Sequence, residues 1–120
     1  MRLYSFEKLN VWQLSRTLVK NVYEISNMFP DEEKFGLVSQ IRRASISVSS
    51  NIAEGTSRKS GKDQARFTEI SYGSLLEVLN QLILAADLGY ISSNIVDEQR
   101  QIIEEIGNKL NKLRETQLNK

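Results

Sequence analysis

Apolar residues return every three or four positions in four separate stretches, the pattern of helices that each bury one face. The first runs through Val11, Ser15, Leu18, Val22, Ile25 and Phe29, and Trp12, Val19 and Tyr23 widen it. The second follows Leu37, Ile41, Ala44, Val48, Ile52 and Gly55. The third takes in Phe67, Ile70, Ser74, Val78, Leu82 and Ala85, and the fourth Ile95, Gln99, Ile102, Ile106, Leu110 and Leu113.

The breaks between these stretches are short. Pro30 disfavours a helical Phe29 and ends the first helix. Asp31, Glu32 and Glu33 supply carboxylates to the positive end of a second helix. Ser60, three residues before Asp63, is a loose capping-box start for the third, Gly89 is a left-handed stop, and Ser92 or Ser93 opens the fourth. Short links make successive helices antiparallel neighbours. The expected fold is therefore all-α, an up-down-up-down four-helix bundle forming one domain over residues 1–120, with helices at about 7–28, 31–58, 62–88 and 93–117. Gly36, Gly55, Gly73 and Gly107 fall inside helical segments, each at a cost of about 1 kcal/mol relative to Ala. Close helix packing accounts for such glycines more readily than contact with a partner.

Composition narrows the chemistry. The chain has 120 residues, enough for one core, and contains neither cysteine nor histidine. Disulfides, thiolate nucleophiles and the usual zinc sites are thereby excluded, and no metal or cofactor is expected. No apolar run reaches the length of a membrane span and the N-terminus has no signal-peptide pattern, so a cytoplasmic protein with no membrane partner is expected.

Charge is informative only locally. The net charge is +1, yet residues 42–66 hold Arg42, Arg43, Arg58, Lys59, Lys62 and Arg66 against Glu54 and Asp63. Arg58, Lys59 and Lys62 should surround the turn between the second and third helices, with Arg66 one turn further on. Arg42 and Arg43 lie more than about 20 Å away along the second helix. Such a stripe suits a phosphate backbone, although basic residues at a turn are as often simply solvated. Arg42 and Arg43 point about 100° apart, so one of them is expected to brace a neighbouring helix or a subunit contact.

The run Ser45-Ile46-Ser47-Val48-Ser49-Ser50-Asn51 is polar and a poor helix former. Asn51 with Glu54, and Ser74 with Glu77, are spaced three apart on or beside the buried stripes, where polar groups need partners. A structural polar network fixing helix register is the expected role. A catalytic pair of Glu54 and Glu77 is the weaker alternative, because no histidine, metal set or Gly-rich loop accompanies it. The aromatic residues are dispersed and read as packing rather than a base-stacking platform. Apolar residues beyond one stripe on the first helix, with Ile46 and Leu75-Leu76, predict self-association.

Several ordered motifs carry a family resemblance: Phe6-x-x-Leu9-x-Val11-Trp12-Gln13, Phe29-Pro30-x-x-Glu33-x-x-Gly36-Leu37-x-x-Gln40-Ile41-Arg42-Arg43-Ala44, Ser47-Val48-x-x-Asn51-Ile52-Ala53-Glu54-Gly55 and Phe67-x-x-Ile70-x-x-Gly73-Ser74-Leu75-x-Glu77. The chain resembles the bacterial four-helix-bundle proteins encoded in intervening sequences of large-subunit ribosomal RNA genes. These in turn are similar to the accessory variability proteins of diversity-generating retroelements. The resemblance implies a homopentameric, barrel-like ring. In the retroelement relatives that ring binds a reverse transcriptase and nucleic acid through basic surfaces, and the near balance of charge here departs from that character. The reading is thus a non-catalytic, oligomeric nucleic-acid-binding protein. RNA ranks ahead of DNA, and Arg42, Arg43, Arg58, Lys59, Lys62 and Arg66 form the contact set. The alternative is an adaptor that docks onto a polymerase or another nucleic-acid enzyme.

Overall fold

Four helices fold back on one another in sequence order: α1 (Asn10–Ser26), α2 (Leu37–Gly55), α3 (Gly61–Asp87) and α4 (Ser93–Leu118). The computed structural model describes residues 1–120. Each helix packs against the next, and α4 closes the ring against α1. The order of contacts is antiparallel. Ser47 meets Ser74, Ser71 bonds to the Val48 carbonyl, and Gly55 faces Phe67, so numbers rise on one helix as they fall on the other. The whole is an all-α four-helix bundle without strands.

The first stripe is buried at every position, from Val11 through Ser15, Leu18, Val22 and Ile25 to Phe29. On α3 the buried face differs from the apolar pattern. Ile70 is 45% exposed, while Ala65, Thr68 and Ser71 line the interior. The hydroxyls explain the exchange. Ser71 donates to the Val48 carbonyl at 2.8 Å and Thr68 to Gln117 Oε1 at 2.7 Å, so two small polar residues bond across helices where a larger apolar one would hold them apart. On α4 the expected stripe is buried at Gln99, Ile106 and Leu110, and is displaced by one residue at two places, where Val96 and Ile103 rather than Ile95 and Ile102 are buried.

Helix ends follow local hydrogen bonding. Asp31–Glu33 form a separate 3₁₀ turn, and α2 starts only at Leu37. The Glu33 carboxylate accepts from Leu37 N at 3.1 Å, capping α2 from four residues upstream. Beyond Gly55 the chain tightens into bonds three residues apart, Thr56 to Ala53, Ser57 to Glu54 and Arg58 to Gly55, so α2 stops short of Arg58. Ser60 caps α3 by accepting from Asp63 N at 3.1 Å. Gly89, at φ 79°, closes α3 in a Schellman motif, with Tyr90 N bonded to the Ala85 carbonyl and Gly89 N to the Ala86 carbonyl.

Candidate nucleic-acid interface

The six cationic residues of the 42–66 stretch occupy three different environments. Arg42 is half-buried and reaches back to the end of α1. Its Nε donates to Ser26 Oγ at 2.8 Å and its Nη2 to Asn27 Oδ1 at 3.0 Å, while the guanidinium lies 4.4 Å from the Tyr23 ring centroid. This arginine braces α2 against α1 through neutral oxygens and an aromatic face. Arg58 is half-committed: it pairs with Glu54 at 2.9 Å and lies 4.5 Å from the Phe67 ring.

Lys59, Lys62 and Arg66 are exposed and make no ion pair. All three fall on the α2–α3 turn or the first two turns of α3, so one end of the bundle carries a cluster of cations without ion pairs, with Asp63 as the one carboxylate among them. Arg43 is also exposed, held only by a 3.4 Å bond to Ser39 Oγ, but it stands near the opposite end of α2. The stripe expected from sequence is therefore a three-residue cluster at the turn plus one separate arginine.

The polar residues of α2 and α3 divide in a similar way. Asn51 Nδ2 donates to Ser47 O at 2.9 Å and to Ser47 Oγ at 3.0 Å, and Ser47 and Ser74 share a 2.8 Å hydroxyl bond. This chain links the two helices and involves Ser47, which sequence spacing alone did not single out. Glu54 lies outside it, exposed and paired with Arg58. Glu77 also lies outside it, exposed and without an ion pair. The two glutamates do not share a cavity, since Glu77 lines a groove that Glu54 does not reach.

That groove, of about 540 Å³, runs between the first half of α2 and the middle of α3. Phe35, Arg43, Ser47, Ser74, Glu77 and Gln81 form most of its wall. Gln81 was not visible as a site residue from sequence, although it sits seven positions after Ser74 on the same buried stripe. Polar residues at interior positions of a helix stripe are the signal that marks it. No three carboxylates converge as a metal ion would require.

At the other face of the same end, Glu33 joins the two helical hairpins. It caps Leu37 and accepts from Tyr90 Oη at 2.8 Å, and Phe29 packs on the Tyr90 ring at 5.8 Å between centroids. The Leu37 amide and then the Tyr90 hydroxyl hold the Glu33 carboxyl below its ordinary value, and the same bond to Glu33 raises the Tyr90 phenol above its own.

A family model described as 23S rRNA-intervening sequence protein matches residues 7–112. The fold is similar to the crystal structure of a protein of unknown function from the S23 ribosomal protein family of Bacteroides thetaiotaomicron VPI-5482. That chain is 22% identical, with a TM-score of 0.62 over 91% of this chain and 95% of the other. No curated protein matches the sequence. No helix is long and apolar enough to cross a membrane.

Proposed function

The chain belongs to the family of 23S rRNA-intervening sequence proteins, and from that premise we propose that it is a non-catalytic, oligomeric RNA-binding bundle. The observation that carries this reading is the cluster of Lys59, Lys62 and Arg66. These are three exposed cations with no ion pair at the α2–α3 turn and the start of α3, in a chain whose net charge is only +1. Long cationic side chains near a helix end that make no ion pair are positioned to displace counterions from a phosphate backbone. Arg58 flanks the cluster as a secondary contact, Arg43 stands apart toward the other end of α2, and Arg42 is a packing residue. RNA ranks ahead of DNA because of the family to which the chain belongs.

Self-association completes the proposal, with a homopentameric ring as the proposed assembly. It is supported by apolar side chains that the bundle leaves in water, among them Ile46, Leu76 at 48% exposure and Tyr23. A ring would repeat a modest cationic cluster on every subunit, so avidity could offset a weak single contact.

The test is binding of a structured RNA fragment at ~50 mM and ~200 mM salt, with the wild-type chain and a Lys59→Ala/Lys62→Ala/Arg66→Ala variant. Wild-type affinity should fall steeply with salt, and the triple variant should bind weakly at both concentrations. Binding indifferent to salt, or unchanged in the triple variant, would refute phosphate contact at this turn.

A further inference from the structure

The bundle end that carries the α2–α3 turn also carries an aromatic stack. α1 and α2 run antiparallel, with Arg42 bonded to Ser26 and Asn27 at one end of the pair, so the start of α1 at Asn10 and the end of α2 at Gly55 share the other. The 3₁₀ turn Ser5–Lys8, just ahead of α1, packs against both helices there. Three aromatic rings meet at this turn although they are spread along the sequence. The Tyr4 and Phe6 centroids are 6.4 Å apart, Phe6 meets Trp12 edge-on at 5.0 Å, and the Arg16 guanidinium lies 4.9 Å from the Trp12 ring centroid.

Phe6 and Trp12 are half-buried, but Tyr4 is 73% exposed and Phe6 is its one aromatic neighbour. Its backbone is nevertheless fixed. Tyr4 N donates to Glu7 Oε1 at 2.9 Å, Glu7 N to the Tyr4 carbonyl at 3.1 Å, and Gln13 Nε2 to the Glu7 carbonyl at 2.9 Å. A large exposed ring is thus carried on a set backbone, and less ordering entropy is lost when a ligand covers it. Beside it an open recess of about 570 Å³ is lined by Arg2, Leu3, Tyr4 and Ser5. Local charge favours a polyanion. Residues 1–16 hold Arg2, Lys8 and Arg16, none of them ion-paired, against Glu7, whose carboxylate already caps Tyr4.

Resting on the RNA-binding reading, we propose that Tyr4 stacks an unpaired base of the strand whose phosphates lie along Lys59, Lys62 and Arg66, so that the ligand is a single-stranded stretch of RNA. The molecule measures 28 Å by 21 Å across its long axis, a width that about eight nucleotides cross at about 3.4 Å each. One strand can therefore reach both features of the same bundle end. A ring face accepts any base, because every base has a π-face, and no base edge needs to be read. Duplex RNA keeps its bases in its own stack and offers Tyr4 none.

Fluorescence anisotropy at two salt concentrations tests this with two labelled ten-nucleotide strands, oligo(A) and a strand of the same length and charge that lacks bases. The wild-type chain should bind oligo(A) about tenfold more tightly than the abasic strand. Tyr4→Ala should erase that difference and leave both the abasic affinity and the salt dependence unchanged, since stacking neutralises no phosphate. Tyr4→Trp should restore it. Equal wild-type affinities for the two strands, or a difference that survives Tyr4→Ala, would overturn the stacking site while the cationic turn stands. A drop in assembly mass in Tyr4→Ala would overturn it too, because the ring would then be covered by a second copy of the chain. No salt-sensitive binding of either strand would instead remove the RNA-binding reading, and the stacking site with it.

Discussion

Arg42 and Lys59 have the same charge and opposite occupations, which only their surroundings reveal. Arg42 makes charge-assisted bonds to Ser26 and Asn27 and stacks on Tyr23, so its loss leaves a buried hydroxyl short of a donor. Arg42→Ala should cost about 1.5–3 kcal/mol in urea unfolding at one fixed protein concentration, with RNA affinity of the folded protein unchanged. Lys59→Ala, at an exposed residue with no ion pair, should stay within about 0.5 kcal/mol of wild type in the same assay. The Glu33–Tyr90 bond adds a pH signature at this scale. The folded Glu33 carboxyl lies below its ordinary 4.5, so its contribution is present above that value and is lost as pH falls through the folded one. The Tyr90 phenol lies above its ordinary 10.0, so its contribution is present below that value and is lost as pH rises through the folded one. Tyr90→Phe should flatten the alkaline loss and weaken the acid one, measured as unfolding midpoint against pH. An unchanged acid limb would mean that Tyr90 does not help hold Glu33 ionised.

The helices themselves show why some of this could be read from the sequence and some could not. Stripe periodicity marks α1 fully because its interior positions are apolar or small. It misplaces part of α3, because Thr68 and Ser71 earn their interior places by bonding to Gln117 and Val48, and nothing in a one-dimensional pattern announces a partner 49 or 23 residues away. The boundaries of α2 were similarly hidden, since the Glu33 cap depends on how the carboxylate folds back onto Leu37. The same limit applies to the site. The cationic turn was legible from charge alone, but the separation of Arg42 and Arg58 from the cations without ion pairs, and the meeting of Tyr4, Phe6 and Trp12, depend on tertiary neighbours. Glycines sharpen the contrast. A Cβ at Gly55 would sit 3.0 Å from Phe67 Cβ and 3.5 Å from the Gln64 carbonyl, whereas one at Gly73 would meet nothing within 4 Å. Gly55→Ala should therefore destabilise by about 1–3 kcal/mol, by forcing α2 from α3. Gly73→Ala should stabilise by about 1 kcal/mol through helix propensity. Thermal or urea unfolding of the two variants decides the matter. A destabilised Gly73→Ala chain would show that another surface packs on α3 there.

For the whole molecule, a net charge of +1 predicts little long-range attraction for a polyanion, so affinity must come from contacts made at close quarters and repeated. The three cations at the α2–α3 turn and the start of α3, Lys59, Lys62 and Arg66, set the salt sensitivity of one contact. At about 0.7 per neutralised phosphate of a single strand, log affinity should fall by about 2 for each tenfold rise in salt. A monomer would show that slope for every RNA longer than its footprint. An assembly carrying the same turn on each subunit would show a steeper slope as the RNA lengthens, rising by about 2 with each further subunit engaged and ceasing when the ring is full. Salt titrations across a series of RNA lengths, with the mass of the free protein measured by sedimentation at the same concentration, therefore test binding and assembly together. A slope of about 2 at all lengths, from a protein that sediments as an oligomer, would mean that the turns face apart and each subunit binds alone. The same slope from a protein that sediments as a monomer would remove the ring from the proposal and leave the cationic turn in place.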